Sequence, residues 1–258
     1  MIQMEMFSLE GKTAVVIGGG GVLAGAMAEG LAAAGAAIVI VDPNQANAEA
    51  RAASLRTKGA RAVAVVADAS RREDLERALA LTRESFGGVD VLINAAGINS
   101  GTPFFEISEA EWQKILDVNL KSVFLACQVF GRAMADAGRG GSIINISSVS
   151  SGPPLSKVFT YSVTKAGVNQ ITQFLAREWA PLRIRVNAIR PGFFPAEQNR
   201  ALLSPERTAQ ILSHTPFQRF GEPGELVGAA IFLASEKASS FVTGCILTVD
   251  GGYTAMTI

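Results

Sequence analysis

The chain alternates between short runs that are almost wholly apolar and longer stretches with helical spacing. The runs cover residues 13–17, 37–41, 62–66, 89–93, 142–146, 184–189 and 245–249. Apolar side chains at nearly every position, rather than every second one, describe strands covered on both faces. The stretches between them are long enough for crossover helices. Ser70-Arg-Arg-Glu73 and Ser108-Glu-Ala-Glu111 read as capping boxes, and Ser204-Pro205 as an N-cap followed by proline in the first turn. Gly35 suits a helix stop, and Leu23, Met27 and Leu31 share one face of the first helix. This alternation predicts an α/β chain, a Rossmann-type doubly wound domain of seven parallel strands with helices on both faces.

A length of 258 residues suits one such domain, with no linker-like or repeated segment to divide it. The one departure from the rhythm is residues 191–221, a long excursion after the sixth strand. Chain leaving the carboxyl end of a strand there would cover the ligand crevice, so a substrate lid is expected.

Lys plus Arg and Asp plus Glu are equal at 23 each, which leaves no charge footprint for nucleic acid or an anionic membrane. Residues 1–10 show no basic-then-apolar signal pattern. The longest apolar stretch, 32–41, is broken by Gly35 and falls short of the roughly 20 residues a bilayer needs. Cys127 and Cys245 have no metal-like spacing and read as core thiols rather than a disulfide. A soluble cytoplasmic protein with a small-molecule ligand is the expectation.

Four consecutive glycines, Gly18 to Gly21, follow the first strand and open a helix. Glycine lets the backbone turn tightly against a pyrophosphate, whose charge meets the helix N-terminus. Asp42, at the end of the second strand, would accept hydrogen bonds from an adenosine ribose and repel an added phosphate, which favours NAD over NADP. Tyr161 and Lys165 are four apart on one helix face, and Ser148 ends the fifth strand. A Lys ammonium about 5 Å from a phenol stabilises the phenolate by roughly 3 kcal/mol at an effective dielectric of ~20, so Tyr161 is expected to be acidified. It would then take a proton from an alcohol while Ser148 holds the same oxygen. His214 is the only histidine and has no acidic companions, so no metal is expected.

With these motifs in order, the chain resembles the short-chain dehydrogenase/reductase family along essentially its whole length. Further marks are Asp68, Asn94-Ala95-Ala96-Gly97, Asn119, Pro191-Gly192 and Val249-Asp250-Gly251-Gly252. The resemblance implies catalysis by Asn119, Ser148, Tyr161 and Lys165, with Asn119 holding a relay water. It implies a cofactor site of Gly18, Gly21, Leu23, Asp42, Asp68, Asn94, Gly97, Tyr161, Lys165, Pro191 and Gly192. Oligomers, often tetramers, are usual in the family. Two features depart from its pattern: Val22 and Ala24 stand where glycines are usual, and Ala95 replaces an asparagine.

The Gly18–Leu23 turn and the 193–200 segment resemble, more narrowly, the D-mannonate (fructuronate) oxidoreductase branch. Glu197-Gln198-Asn199-Arg200 is a polar lid sequence suited to a hydroxylated acid, with Gln198 for hydroxyls and Arg200 or Lys157 for the carboxylate. The alternatives are a reductase of 3-oxoacyl thioesters or other ketones, and a cofactor-binding sensor without turnover.

Overall fold

Valine, isoleucine and alanine fill the first strand, β1 (Thr13–Ile17), and every one of its residues is buried. Its side chains alternate between two cores: Ala14 and Val16 pack on one sheet face, Val15 and Ile17 on the other. The computed structural model describes residues 5–153, 155–195 and 203–256. Six more strands follow, β2 (Ala37–Asp42), β3 (Ala62–Val66), β4 (Val91–Asn94), β5 (Gly141–Ile146), β6 (Ile184–Pro191) and β7 (Ile246–Val249). All pair in parallel, in the order β3-β2-β1-β4-β5-β6-β7, as expected for the doubly wound fold.

Helices α1 (Val22–Ala33), α2 (Gln45–Thr57), α3 (Arg72–Phe86), α4 (Glu109–Leu116), α5 (Ser122–Ala137), α6 (Phe159–Trp179), α7 (Pro205–Ser213) and α8 (Val227–Ala234) complete the layers. Side chains of α1 and α8, among them Met27, Leu31 and Leu233, cover one face; α3, α5 and α6 cover the other, centred on Phe130. Each fully buried side chain of this size contributes roughly 1.5–3 kcal/mol. The order of the strands reverses between β1 and β4, the switch point where ligands bind in such sheets. Ile17 pairs with Val41 on one side and Asn94 on the other, so the glycine turn, Asp42 and the segment after β4 leave the sheet together.

Three local expectations are corrected. The edge strands are not covered on both faces: all of β7 is half-buried, and Val66 of β3 is exposed. Strand β4 begins at Val91 because Asp90 turns its carboxylate back to accept the Thr13 amide at 3.0 Å. Ser70 does not cap α3: the N-cap is Arg71, and Ser70 gives its hydroxyl and amide to Asp68 Oδ1 at 2.7 and 2.9 Å. Ser108 and Ser204 do cap their helices, accepting from the amides of Glu111 and Arg207, although Glu111 turns its own carboxylate to Thr102 instead of closing a box. Gly35 stands just past α1 at φ 104°, a conformation other residues resist.

Candidate active site

Helix α6 runs from Phe159 into the core and carries Tyr161, Lys165 and Asn169 at four-residue intervals, hence on one face. Lys165 is 4% exposed. Its ammonium lies 5.5 Å from the centroid of the Tyr161 ring and donates to the Ile146 carbonyl, the end of β5, at 2.7 Å. Burial lowers Lys165 to about 8, so it keeps its charge at neutral pH and loses it in mild alkali. The acidification expected of Tyr161 is reversed. Burial raises it above 10, opposed by a hydrogen bond with Ser148, because removing water from a phenolate outweighs the help it receives here.

Ser148 follows β5 in extended conformation at φ −163°, half-buried, where its oxygen accepts from the Ser150 amide and hydroxyl at 3.2 and 3.1 Å. Asn119 stands in a π-turn, Asp117–Lys121, between α4 and α5. Such an extra residue in a helix often marks a functional site, and here it turns the amide toward the end of β4. Asn119 accepts from the Ile98 amide at 2.8 Å and donates to the Ile98 carbonyl and to Thr164. Its side chain thus pins the loop after β4. A Cβ placed on Gly97 would lie 3.6 Å from both Asn119 Oδ1 and Lys165 Nζ, so the two groups flank one point above the sheet.

The glycine turn is tight. Gly18 has φ 74°, and a Cβ there would stand 2.8 Å from the Ala96 amide nitrogen. At Gly20 a Cβ would meet Asp42 and Asn47 at 2.8 Å. Gly21 is the N-cap of α1 and offers no side chain to its free amides, leaving them for an anion. The altered turn is accommodated: Val22 is 46% exposed, while Ala24 is buried against the sheet. Leu23 is half-buried against the same core. The turn fits a pyrophosphate.

Asp42 has a second task the sequence did not disclose. It is 9% exposed and accepts from the Gly20 amide at 3.1 Å and the Asn44 amide at 2.9 Å, tying the glycine turn to β2. Asp68 is exposed at the end of β3. Pro191 ends β6, and the Gly192 amide donates to Val249 at 2.9 Å. The Asn94 side chain points into the core, donating to Asn145 at 2.9 Å and to the Cys127 sulfur, so at this position only the backbone is left to meet a ligand. The free thiols also differ, Cys127 being buried and Cys245 half-buried.

On the substrate side, Lys157 is exposed in the loop before α6, at φ 67°. Gln198 and Arg200 lie outside the described residues. Arg207 of α7 donates to Ser156 at 2.9 Å, joining the two sides of the cleft mouth. Phe193 and His214 both meet the Tyr253 ring edge-on, at 5.1 and 4.7 Å. Among the described residues no cluster could hold a metal ion, and no helix is long and apolar enough to cross a membrane. Sequence reading overlooked Ser147, Ser150, Ser151 and Asn169 around Ser148; the four-residue step from Lys165 to Asn169 was the available signal.

A family model described as Enoyl-(Acyl carrier protein) reductase matches residues 21–254. The 5-keto-D-gluconate 5-reductase of Escherichia coli (strain K12) is 37% identical over 96% of this chain and 97% of its own. The structure of a gluconate 5-dehydrogenase from Burkholderia cenocepacia J2315, in complex with NADP and tartrate, superposes with a TM-score of 0.94 at 37% identity, covering 99% of this chain and 100% of the other. A protein described as a candidate D-mannonate oxidoreductase from Haemophilus influenza, with bound NAD, superposes with a TM-score of 0.92 at 33% identity, covering 100% of this chain and 99% of the other.

Proposed function

The chain belongs to the short-chain dehydrogenase/reductase family, and on that premise we propose that it interconverts a secondary hydroxyl and a ketone of a sugar acid, with NAD(H) preferred. The observation that carries the reading is the meeting of Tyr161, Lys165 and Ser148 at the carboxyl end of β5. A bound nicotinamide would supply the hydride chemistry, as acceptor in oxidation of the carbinol carbon and as donor in reduction of the ketone. In the oxidative direction Tyr161 takes the hydroxyl proton, and in the reductive direction it gives one. Ser148 donates a hydrogen bond to the same oxygen and stabilises the charge that grows there. Lys165, charged and buried, favours the phenolate form of Tyr161 and, beside Gly97, would reach a cofactor ribose. Gly18, Gly21 and Leu23 at the head of α1 would hold the pyrophosphate, Asp42 the adenosine ribose, Asp68 the adenine, and Pro191 and Gly192 the nicotinamide side.

The relatives differ in cofactor, one carrying NADP and one NAD. Preference for NAD therefore rests on Asp42, whose carboxylate would repel a phosphate on the ribose. The sugar-acid class rests on the relatives and on cations available to a carboxylate, Lys157 and Arg200, with Gln198 for hydroxyls. Residues 191–221 serve as the substrate lid. The same reading has the enzyme working in the cytoplasm as a homo-oligomer, a dimer or tetramer. The exposed rings of Phe104, Phe105, Phe124, Phe159 and Phe174 support this, since water is a poor neighbour for them.

The test is a panel of D-gluconate, D-mannonate, 5-keto-D-gluconate, an uncharged polyol, an apolar ketone and a 3-oxoacyl thioester, assayed with NAD(H) and NADP(H). A sugar acid or its keto form should give the highest kcat/KM, with NAD(H) ahead. An apolar ketone or thioester in first place overturns the substrate class, and saturable NADH binding without turnover on any substrate overturns the enzyme.

A further inference from the structure

Behind Ser148 lies a closed set of polar contacts. The Ser147 hydroxyl donates to Asn169 Oδ1 at 2.6 Å, Asn169 Nδ2 donates to the Ser151 hydroxyl at 2.9 Å, and Ser151 donates to the Ser148 carbonyl at 2.6 Å. The chain of donors runs one way, and its last acceptor is the backbone of the serine that faces the substrate oxygen. Ser147 is 2% exposed, so little water competes at that end, while Ser151 and Asn169 are half-buried. Ser150, as buried as Ser147, directs both its amide and its hydroxyl at Ser148 Oγ, at 3.2 and 3.1 Å.

A serine hydroxyl has one hydrogen and two lone pairs. With both lone pairs of Ser148 engaged by Ser150, its hydrogen is what remains to offer. We propose that Asn169, through Ser147 and Ser151, and Ser150 are positioning residues that hold the Ser148 hydroxyl as a one-way donor to the oxygen of the reacting carbon. This rests on the reading that Ser148 binds that oxygen. Asn169 suits the task because one side chain both accepts from Ser147 and donates to Ser151; a carboxylate could only accept. Its place two turns beyond Tyr161 on α6 ties the serine to the helix that carries the proton donor. A donor fixed in advance loses nothing to reorganisation as charge develops.

The experiment is a double-mutant cycle on the full chain, comparing wild type, Ser148→Ala, Asn169→Ala and the double variant with D-mannonate or the fastest acid of the panel. Asn169→Ala should lower kcat by about ten- to hundredfold, the scale of misplacing a catalytic group. KM for the acid and the dissociation constant for NADH should stay within about twofold, because neither is held by this network. In the Ser148→Ala background the same substitution should change kcat by less than about twofold, since there is no hydroxyl left to aim. Ser150→Ala should follow the same pattern. Equal losses in both backgrounds would mean a merely structural role and overturn the proposal, as would an undiminished kcat in Asn169→Ala. A Ser148→Ala variant with full activity would instead remove the reading beneath it. Should Asn169→Ala fold poorly, Asn169→Leu keeps the shape, loses both polar contacts without adding charge, and is subject to the same criteria.

Discussion

Two buried polar clusters share strand β5 and helix α6, yet they are built on opposite principles. In the core, Asn94 donates to Asn145 at 2.9 Å, Asn145 to Thr172 at 2.9 Å, and Thr172 back to the Val168 carbonyl at 2.8 Å. Every member is neutral, and Cys127 beside them is pushed up to about 12 by burial, so it stays a thiol. One residue along β5 and two turns back on α6, Lys165 is charged, desolvated, and answered by the Ile146 carbonyl alone among the described residues. A neutral network, even with Asn94 Oδ1 left without a partner among the described residues, specifies packing. A charge kept in a cleft with donors to spare is held there against its solvation, and that cost makes sense only if chemistry uses it.

Substitutions that separate stability from turnover sharpen this contrast. The largest effect belongs to Lys165→Met, which should lower kcat/KM by about 10²–10⁴-fold while the fold survives, since a flexible apolar chain replaces a desolvated ammonium. Its stability carries a second signature. Lys165 falls from 10.5 to about 8 on folding, so between those values the unfolded chain binds the extra proton. Wild type should therefore gain on the variant by up to about 3 kcal/mol as pH rises from 8 to 10.5, read from denaturant unfolding at several pH values. A gap independent of pH would mean that the Lys165 charge is not desolvated. Asn145→Leu should do the opposite: unfolding free energy falls by about 2–3 kcal/mol, because Asn94 and Thr172 lose a partner, while kcat stays within about twofold. A large loss of kcat in a stable Asn145→Leu protein would erase the distinction between the clusters. Asp42→Ala bridges both, freeing the Gly20 and Asn44 amides at a cost of about 1 kcal/mol and narrowing the preference for NAD(H) over NADP(H). Cofactor ratios unchanged by that substitution would leave Asp42 with its structural task alone.

How much of this was legible in the sequence follows from what each residue answers to. Residues that answer to burial were plain: the runs at 13–17 and 62–66 match β1 and β3 to the residue, because apolar character at nearly every position has few other uses in an α/β chain. Their coverage was less plain, since an edge strand differs from a central one only by what lies beside it. Tyr161, Lys165 and Ser148 were found because helix period and strand ends deliver them. The direction of the Tyr161 shift was missed, since the charge of Lys165 can be counted from a sequence and the depth of burial cannot. Ser70 was misread because Asp68, two residues before it, takes its amide and hydroxyl in a local turn that competes with the cap. The partner of the Asn94 side chain, Asn145, lies across the fold, a distance that a linear pattern omits. The π-turn at Asn119 is a one-residue shift in register that leaves the apolar pattern almost intact.

The central claim is that the Tyr161 hydroxyl moves the proton at the reacting oxygen. Tyr161→Phe keeps the ring and its packing, and it should lower kcat on the best sugar-acid substrate by about 10²–10⁴-fold. The midpoint of thermal unfolding and the dissociation constant for NADH should stay near wild type. A Tyr161→Phe protein with near-normal kcat would contradict the account outright.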